Sequence, residues 1–153
     1  MKEIKLTQKK FALVDDEDYE SLNQYKWYAK TDDYNWYAMR SIDNGTILMH
    51  REILNTKRGI STDHINGNGL DNRKENLRVC THQENTFNRH AQKNNKLGIK
   101  GVCWHKRAKK FCANINVKGK VIYLGIFNVL ADADSAYRIA EEKYFGEFAR
   151  SMK

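Results

Sequence analysis

Four residues near the middle of the chain, Asp63, His64, Asn76 and Asn85, place a carboxylate, an imidazole and two amides on one short stretch. Hydrolysing a phosphodiester requires an activated water and something to hold the charge that builds on the phosphate and the leaving oxygen. A neutral imidazole suits the first task, since its unperturbed pKa of ~6.5 lets it accept a proton near neutrality. A hard divalent cation on oxygen ligands suits the second. Asp63 offers a carboxylate oxygen and Asn85 an amide oxygen. Two protein ligands leave positions open for water and substrate, which favours Mg2+, with Mn2+ as the other candidate, over a closed zinc cage.

These groups need a scaffold that brings them together, and the local sequence predicts a hairpin followed by a helix. A short strand ends near His64, and Asn66-Gly67 and Asn68-Gly69 supply positive-φ positions for a polar loop. A second strand runs from Leu77 to Cys80. Thr81, with Glu84 three residues later, forms a capping box in which hydroxyl and carboxylate satisfy free backbone N–H groups, so the helix starts at Thr81 or His82. Asn85, Asn88 and Arg89 then share one face at i, i+3 and i+4. With that face against the hairpin, Asn85 approaches Asp63.

At these residues, in this order, the chain resembles the HNH endonucleases, specifically the homing type of the ββα-metal nuclease fold. The resemblance implies that Asp63 and Asn85 bind the cation, that His64 is the general base, and that Asn76 supports catalysis by steadying the loop. Met49-His50-Arg51 is similar to the family's upstream His-Arg pair, which makes Arg51 a candidate phosphate contact, and Arg89 on the helix is another. Asn85 stands where the family's name has its last histidine, a variant of the homing subgroup. His50, His82 and His90 read as structural or DNA-facing.

A chain of 153 residues with 41% apolar content makes one or two small domains. Its net charge of +8 suits a polyanionic partner, and the charge is unevenly spread. Residues 1–48 carry −2, residues 49–95 carry +3 and residues 96–153 carry +7, with no acidic residue between Lys96 and Lys120. Cys80, Cys103 and Cys112 form no C-x-x-C pair and leave an odd thiol, which argues against a zinc ribbon or a secreted disulfide framework and for a cytoplasmic protein. No signal peptide, membrane-spanning run or amphipathic anchor is visible.

The first third reads as a β-rich scaffold with one helix. Phe11 to Val14 is a strand, Asp15 a cap, and Glu17 to Asn23 a short helix whose acidic start, Asp15 to Glu20, is a solvated helix terminus. Tyr25 to Ala29 and Trp36 to Arg40 read as strands around a turn at Asp32 and Asp33, and Asn44-Gly45 turns into a strand at Thr46 to His50. Strand aromatics such as Trp27, Trp36 and Tyr37 are expected to pack.

After a polar linker at 92–96, three strands are expected at Ile99 to Trp104, Lys110 to Val117 and Lys120 to Phe127, the last two joined at Lys118-Gly119. Phe111, Ala113, Ile115 and Val117 alternate with Cys112, Asn114 and Asn116, so one face packs and the other is open. Asn128 is placed to cap a helix carrying Ala133, Ala136, Tyr137, Ala140 and Tyr144 on one stripe before Gly146. Gly101-Val102, Trp104, Phe111, Gly119-Lys120, Leu124-Gly125 and Ala136-Tyr137 are similar to the AP-two or ethylene-response-factor type of DNA-binding domain, which implies a sheet laid in the major groove. Lys100, Trp104, Lys106, Arg107, Lys109, Asn114, Asn116, Lys118 and Tyr123 are the candidate contacts, lysines on phosphates and asparagines on adenine edges.

The expectation is an α+β protein. A β-rich segment leads into a ββα-metal HNH nuclease over residues 1–95, and a three-stranded antiparallel sheet packed on one helix follows over 96–153. The activity expected is metal-dependent cleavage of double-stranded DNA, of the phage-like homing type, nicking one strand, with no small-molecule cofactor and with monomer or homodimer both open. The alternatives are a non-catalytic sequence-specific DNA-binding regulator on a degenerate HNH scaffold, and an RNase that prefers single strands.

Overall fold

Ile4, Ala12 and Val14 are buried and alternate with neighbours that are less so, and this alternation turns the start of the chain into an antiparallel ribbon of β1 (Lys2–Lys5) and β2 (Phe11–Val14), apolar side inward. The computed structural model describes residues 1–32, 34–57, 59–88, 91 and 95–149. They gather into two compact units, Met1–Asn88 and Arg89–Arg150. β1 was not expected, because a single apolar residue among lysines and glutamate carries no period to read.

In the first unit α1 (Asp16–Asn23) follows Asp15, whose carboxylate does not cap its own helix but accepts the Lys74 backbone N–H at 2.8 Å. The acidic start of α1 is taken up by the N-terminal ammonium on Asp16 and by Lys74 on Glu17 and Asp18. β3 (Tyr28–Thr31), β4 (Trp36–Ile42) and β5 (Gly45–Leu48) form an antiparallel sheet in that order. β3 starts later than expected because Trp27 turns into the core, its ring N–H donating to the Leu22 carbonyl at 2.8 Å.

The strand expected to reach His50 stops at Leu48, and α2 (Met49–Ile53) begins there. Met, Arg and Glu favour helix. Two contacts then fix it: Met49 is fully buried, and Arg40 of β4 forks onto Glu52 at 2.8 and 3.0 Å. The consequence is that His50 is carried inward.

β6 (Ser61–His64) and β7 (Leu77–Cys80) pair antiparallel, with Asp63 opposite Arg78 and His64 opposite Leu77. α3 (His82–Phe87) lies against both strands behind a complete capping box: Thr81 Oγ accepts from Glu84 N–H at 3.2 Å and Glu84 accepts from Thr81 N–H at 2.7 Å.

The second unit contains β8 (Val102–His105), β9 (Lys110–Val117) and β10 (Lys120–Phe127) in the order β10-β9-β8, with α4 (Leu130–Phe145) against the sheet. Lys118 and Gly119 take φ of 52° and 79°, the left-handed pair that a two-residue hairpin turn requires. Val102, Ala113 and Ile115 are buried, with Ala133, Tyr137 and Ala140 on the helix. Phe145, and not the exposed Tyr144, completes that helical stripe, while Asn128 stays outside a helix whose N-cap is Val129. β8 starts at Val102, past the expected Ile99, since Gly101 turns at φ +71° with the Tyr137 ring where a Cβ would stand. The whole is a mixed α+β protein of several small antiparallel sheets and few helices. No helix among the described residues is long and apolar enough to cross a membrane.

Candidate active site

Strand alternation sends Asp63 and His64, consecutive at the end of β6, to opposite sides of the ribbon. Asp63 meets the helix side. Arg78, its partner across the ribbon, reaches its Oδ2 with Nη2 at 2.6 Å and Nε at 3.0 Å. The Asn88 amide nitrogen, at the C-cap of α3, lies 3.0 and 3.1 Å from the two carboxylate oxygens and 2.8 Å from the His64 carbonyl. Asp63 is only 7% exposed, so its charge depends on these donors.

His64 faces the other way, into a wall of rings. Its imidazole stands edge-on to His50 at 4.7 Å between centroids, with Tyr37 of β4 at 6.0 Å. Its Nε2 is 3.3 Å from Oδ1 of Asn72, a residue with no exposed surface. Burial lowers the pKa of His64, against the opposing pull of the Asn72 hydrogen bond and then of Asp63 and Asp71, so the ring is kept neutral and able to accept a proton. Burial drives His50 further, down to about 3, with His64 and Arg51 adding to the effect, and its Nδ1 is buried without a hydrogen-bond partner among the described residues.

The loop between β6 and β7 is closed by Asn76. Its Oδ1 accepts from the Asn66 N–H at 2.9 Å and its Nδ2 donates to the Asp71 carbonyl at 2.7 Å, which ties the start of the loop to its end. Inside, Arg73 forks onto Asp71 at 2.8 Å with both arms and holds that carboxyl below its ordinary range. The loop is also bound to the scaffold. Leu13 N–H donates to the Leu70 carbonyl and Asn72 N–H to the Leu13 carbonyl, each at 2.8 Å, while the Asn35 amide bonds the Gly67 carbonyl at 2.6 Å. Only Gly67 of the two loop glycines has the expected positive φ, 74°. Gly69 is needed for room: a Cβ there would lie 2.4 Å from the Trp36 carbonyl oxygen and 2.6 Å from the Tyr37 ring.

The sequence-predicted residues therefore divide. Asp63, His64 and Asn76 share this one site. Asn85, half-buried on α3, makes no side-chain hydrogen bond among the described residues; the amide that reaches Asp63 belongs to Asn88, one turn further on. Asn88 shares the helix face of Asn85, so the helical period points to it, whereas nothing local marks Asn72. Arg51, half-buried, turns its guanidinium onto the carbonyls of Ile60 at 2.6 Å and Lys57 at 2.8 Å, tying both residues to α2. Arg89 and His90 lie outside the described residues, and His82 is exposed at the start of α3. No group of three or more His, Cys, Asp or Glu is gathered about a metal position among the described residues.

In the second unit Lys106, Arg107 and Lys109 are exposed in the β8–β9 turn, and Lys118 lies in the β9–β10 turn. Asn114 pairs with Tyr123 and Asn116 with Val121 on the face turned away from Ala113 and Ile115, where Tyr123 is 61% exposed. Lys100 is paired with the buried Glu141 at 3.2 Å, and Trp104, 47% exposed, pairs across the sheet with Phe111 on the face opposite Asn114 and Asn116, their rings edge-on at 4.9 Å.

A family model described as HNH endonuclease matches residues 57–87, the span of the ribbon, loop and helix just described. An uncharacterized HNH endonuclease of Acanthamoeba polyphaga mimivirus is 32% identical over 155 residues, covering 94% of this chain and 75% of that protein. Protein 3.8 of Escherichia phage T7 is 32% identical over 93 residues, covering 61% of this chain and 76% of its own length. No solved structure matches. Similar to one of that family across nearly its whole length, and matched by the family's pattern where its imidazole and carboxylate meet loop and helix, the chain belongs to the HNH endonucleases and is a nuclease.

Proposed function

We propose that this nuclease hydrolyses phosphodiester bonds of double-stranded DNA, with His64 taking a proton from the attacking water and a divalent cation, Mg2+ foremost, held by Asp63 and Asn85. The observation that carries the reading is the end of β6, where consecutive side chains place a carboxylate against the helix and a neutral imidazole against the loop. The donor chemistry fits such a cation. A carboxylate and an amide oxygen suit a hard ion; the Asp63 oxygens accept from Arg78 and Asn88, and the Asn85 side-chain amide is half-buried with no hydrogen bond of its own among the described residues, one turn from the amide that meets Asp63. When bound, the cation stabilises charge on the phosphate and on the departing oxygen.

The protein's own residues do the rest. Asn76 keeps the loop closed beneath His64, and burial keeps the imidazole able to accept a proton at neutral pH. This ribbon, loop and helix form the ββα-metal arrangement, and one such site cuts one strand, so a monomer nicks. The second unit docks the enzyme in the manner of the AP-two type. A three-stranded sheet with a helix on one side supports this, with Asn114, Asn116 and Tyr123 on its open face and Lys106, Arg107, Lys109 and Lys118 in its turns. Relatives in a mimivirus and a phage support a mobile, viral setting.

Incubation with supercoiled plasmid tests the proposal. Nicked circles are expected with Mg2+ and none with EDTA or with His64→Ala. Nicking undiminished in that variant refutes the assignment of the base.

A further inference from the structure

We infer that Asn72 is the positioning residue that sets the tautomer of His64, keeping the hydrogen on Nε2 and leaving Nδ1 as the atom that accepts the proton from water. The inference rests on His64 being the base, as proposed above, and adds which nitrogen does the work and what decides it.

The two ends of the Asn72 amide have different partners. Asn72 Nδ2 lies 3.2 Å from the Leu70 carbonyl oxygen, which can only accept, so the donating end of the amide must face it. The other end, Oδ1, then faces His64 Nε2 at 3.3 Å. An amide oxygen also only accepts, so Nε2 must carry a hydrogen. A neutral imidazole has one N–H, and its lone pair therefore sits on Nδ1.

Two features hold this arrangement. Asn72 has no exposed surface, its backbone N–H is bonded to the Leu13 carbonyl at 2.8 Å, and its side-chain amide is engaged at both ends, by Leu70 and by His64. The imidazole is flanked by the His50 ring at 4.7 Å and the Tyr37 ring at 6.0 Å, from two other elements, which hold its plane, and a half-turn about Cβ–Cγ would bring Cε1 to Asn72 in place of Nε2 and lose the hydrogen bond. Asn72 thus fixes which nitrogen is basic, and the two rings fix the plane in which it points. Orientation of a base by a hydrogen bond at its second nitrogen is the logic of hydrolytic triads, here supplied by an uncharged acceptor.

The test reads the tautomer directly. The protein, labelled with 15N, is recorded by long-range 1H–15N correlation at a pH of about 8, and His64 is identified by the signal lost in His64→Ala. A protonated Nε2 and an unprotonated Nδ1 are expected; the reverse pattern, or an equal mixture, overturns the inference. This spectrum needs no altered side chain at position 72.

Plasmid nicking in Mg2+ gives the second readout. Asn72→Leu removes the acceptor and should lower kcat by ~10–100-fold, the usual effect of losing such an outer partner, with KM changed by less than about threefold. Asn72→Asp restores an acceptor and should retain more of kcat than Asn72→Leu, together with the Nε2–H signature. Equal or greater activity in Asn72→Leu overturns the inference. The two readings fail separately: His64→Ala cutting at the wild-type rate removes the base, whereas an inactive His64→Ala beside a wild-type Nδ1–H signal removes only the role of Asn72.

Discussion

Acidification from a pH of about 8 to about 5 should destabilise the first unit by about 2 kcal/mol through His50 alone. Burial, then His64 and Arg51, push the pKa of this ring from 6.5 to about 3. Below 6.5 the unfolded chain takes up a proton that the folded chain refuses until about 3, so stability is full above 6.5 and declines as the pH falls between these values. At pH 5 the unfolded histidine is charged roughly thirty to one, and the free energy of that ratio is about 2 kcal/mol. His64, also lowered by burial, acts in the same direction. Asp71, held low chiefly by Arg73, gives up its contribution only below its ordinary value of 3.8, outside this window. Urea titration followed by tryptophan fluorescence reads the change: with a slope of ~1–3 kcal/mol/M the midpoint moves by roughly 1 M. His50→Phe keeps a ring in the wall without a titrating nitrogen, and should lose most of the pH dependence while leaving the part due to His64. A flat profile in the wild type, or the full decline in His50→Phe, would refute the reasoning.

Other outcomes follow from single contacts. Arg78→Leu leaves the buried Asp63 without its main counter-charge and should cost about 3–5 kcal/mol by chemical denaturation, with part of the loss recovered on adding Asp63→Asn. Gly69→Ala forces a methyl against the Trp36 carbonyl and the Tyr37 ring and should cost about 1–3 kcal/mol, read as a lower melting temperature with slower nicking. Thr81→Ala opens the capping box and should cost about 1 kcal/mol. Replacing Lys106, Arg107 and Lys109 by alanine together should weaken duplex binding and reduce the slope of log affinity against log salt by up to about 3; an unchanged slope would show that the β8–β9 turn does not meet phosphate.

The parts of the fold that were legible in the sequence are those whose causes lie within a few residues of one another. The Thr81–Glu84 box, the Lys118-Gly119 turn and the alternation along β9 depend on near neighbours, and each element stands where its pattern puts it. β1 and α2 depend on partners far along the chain: β2 for one, the Met49 pocket and Arg40 for the other. At the site the same division holds. Asp63, His64 and Asn76 are marked by type and order, while the choice of Asn88 over Asn85 as the amide on Asp63 depends on how α3 rolls against the ribbon. Long side chains are the least legible. Arg51 and Lys100 look like phosphate contacts as isolated charges, and packing turns one onto carbonyls and the other onto Glu141.

The seams that hold the β6–β7 loop to Leu13, Asp15 and Asn35 bear on how portable this nuclease is. A graft of residues 57–87 into a foreign host would transfer the carboxylate, the imidazole and the capped helix, yet leave behind the backbone clamps and the rings of Tyr37 and His50 that seat them. The smallest transplantable piece therefore reaches back at least to β2, and that early stretch is part of the cutting tool.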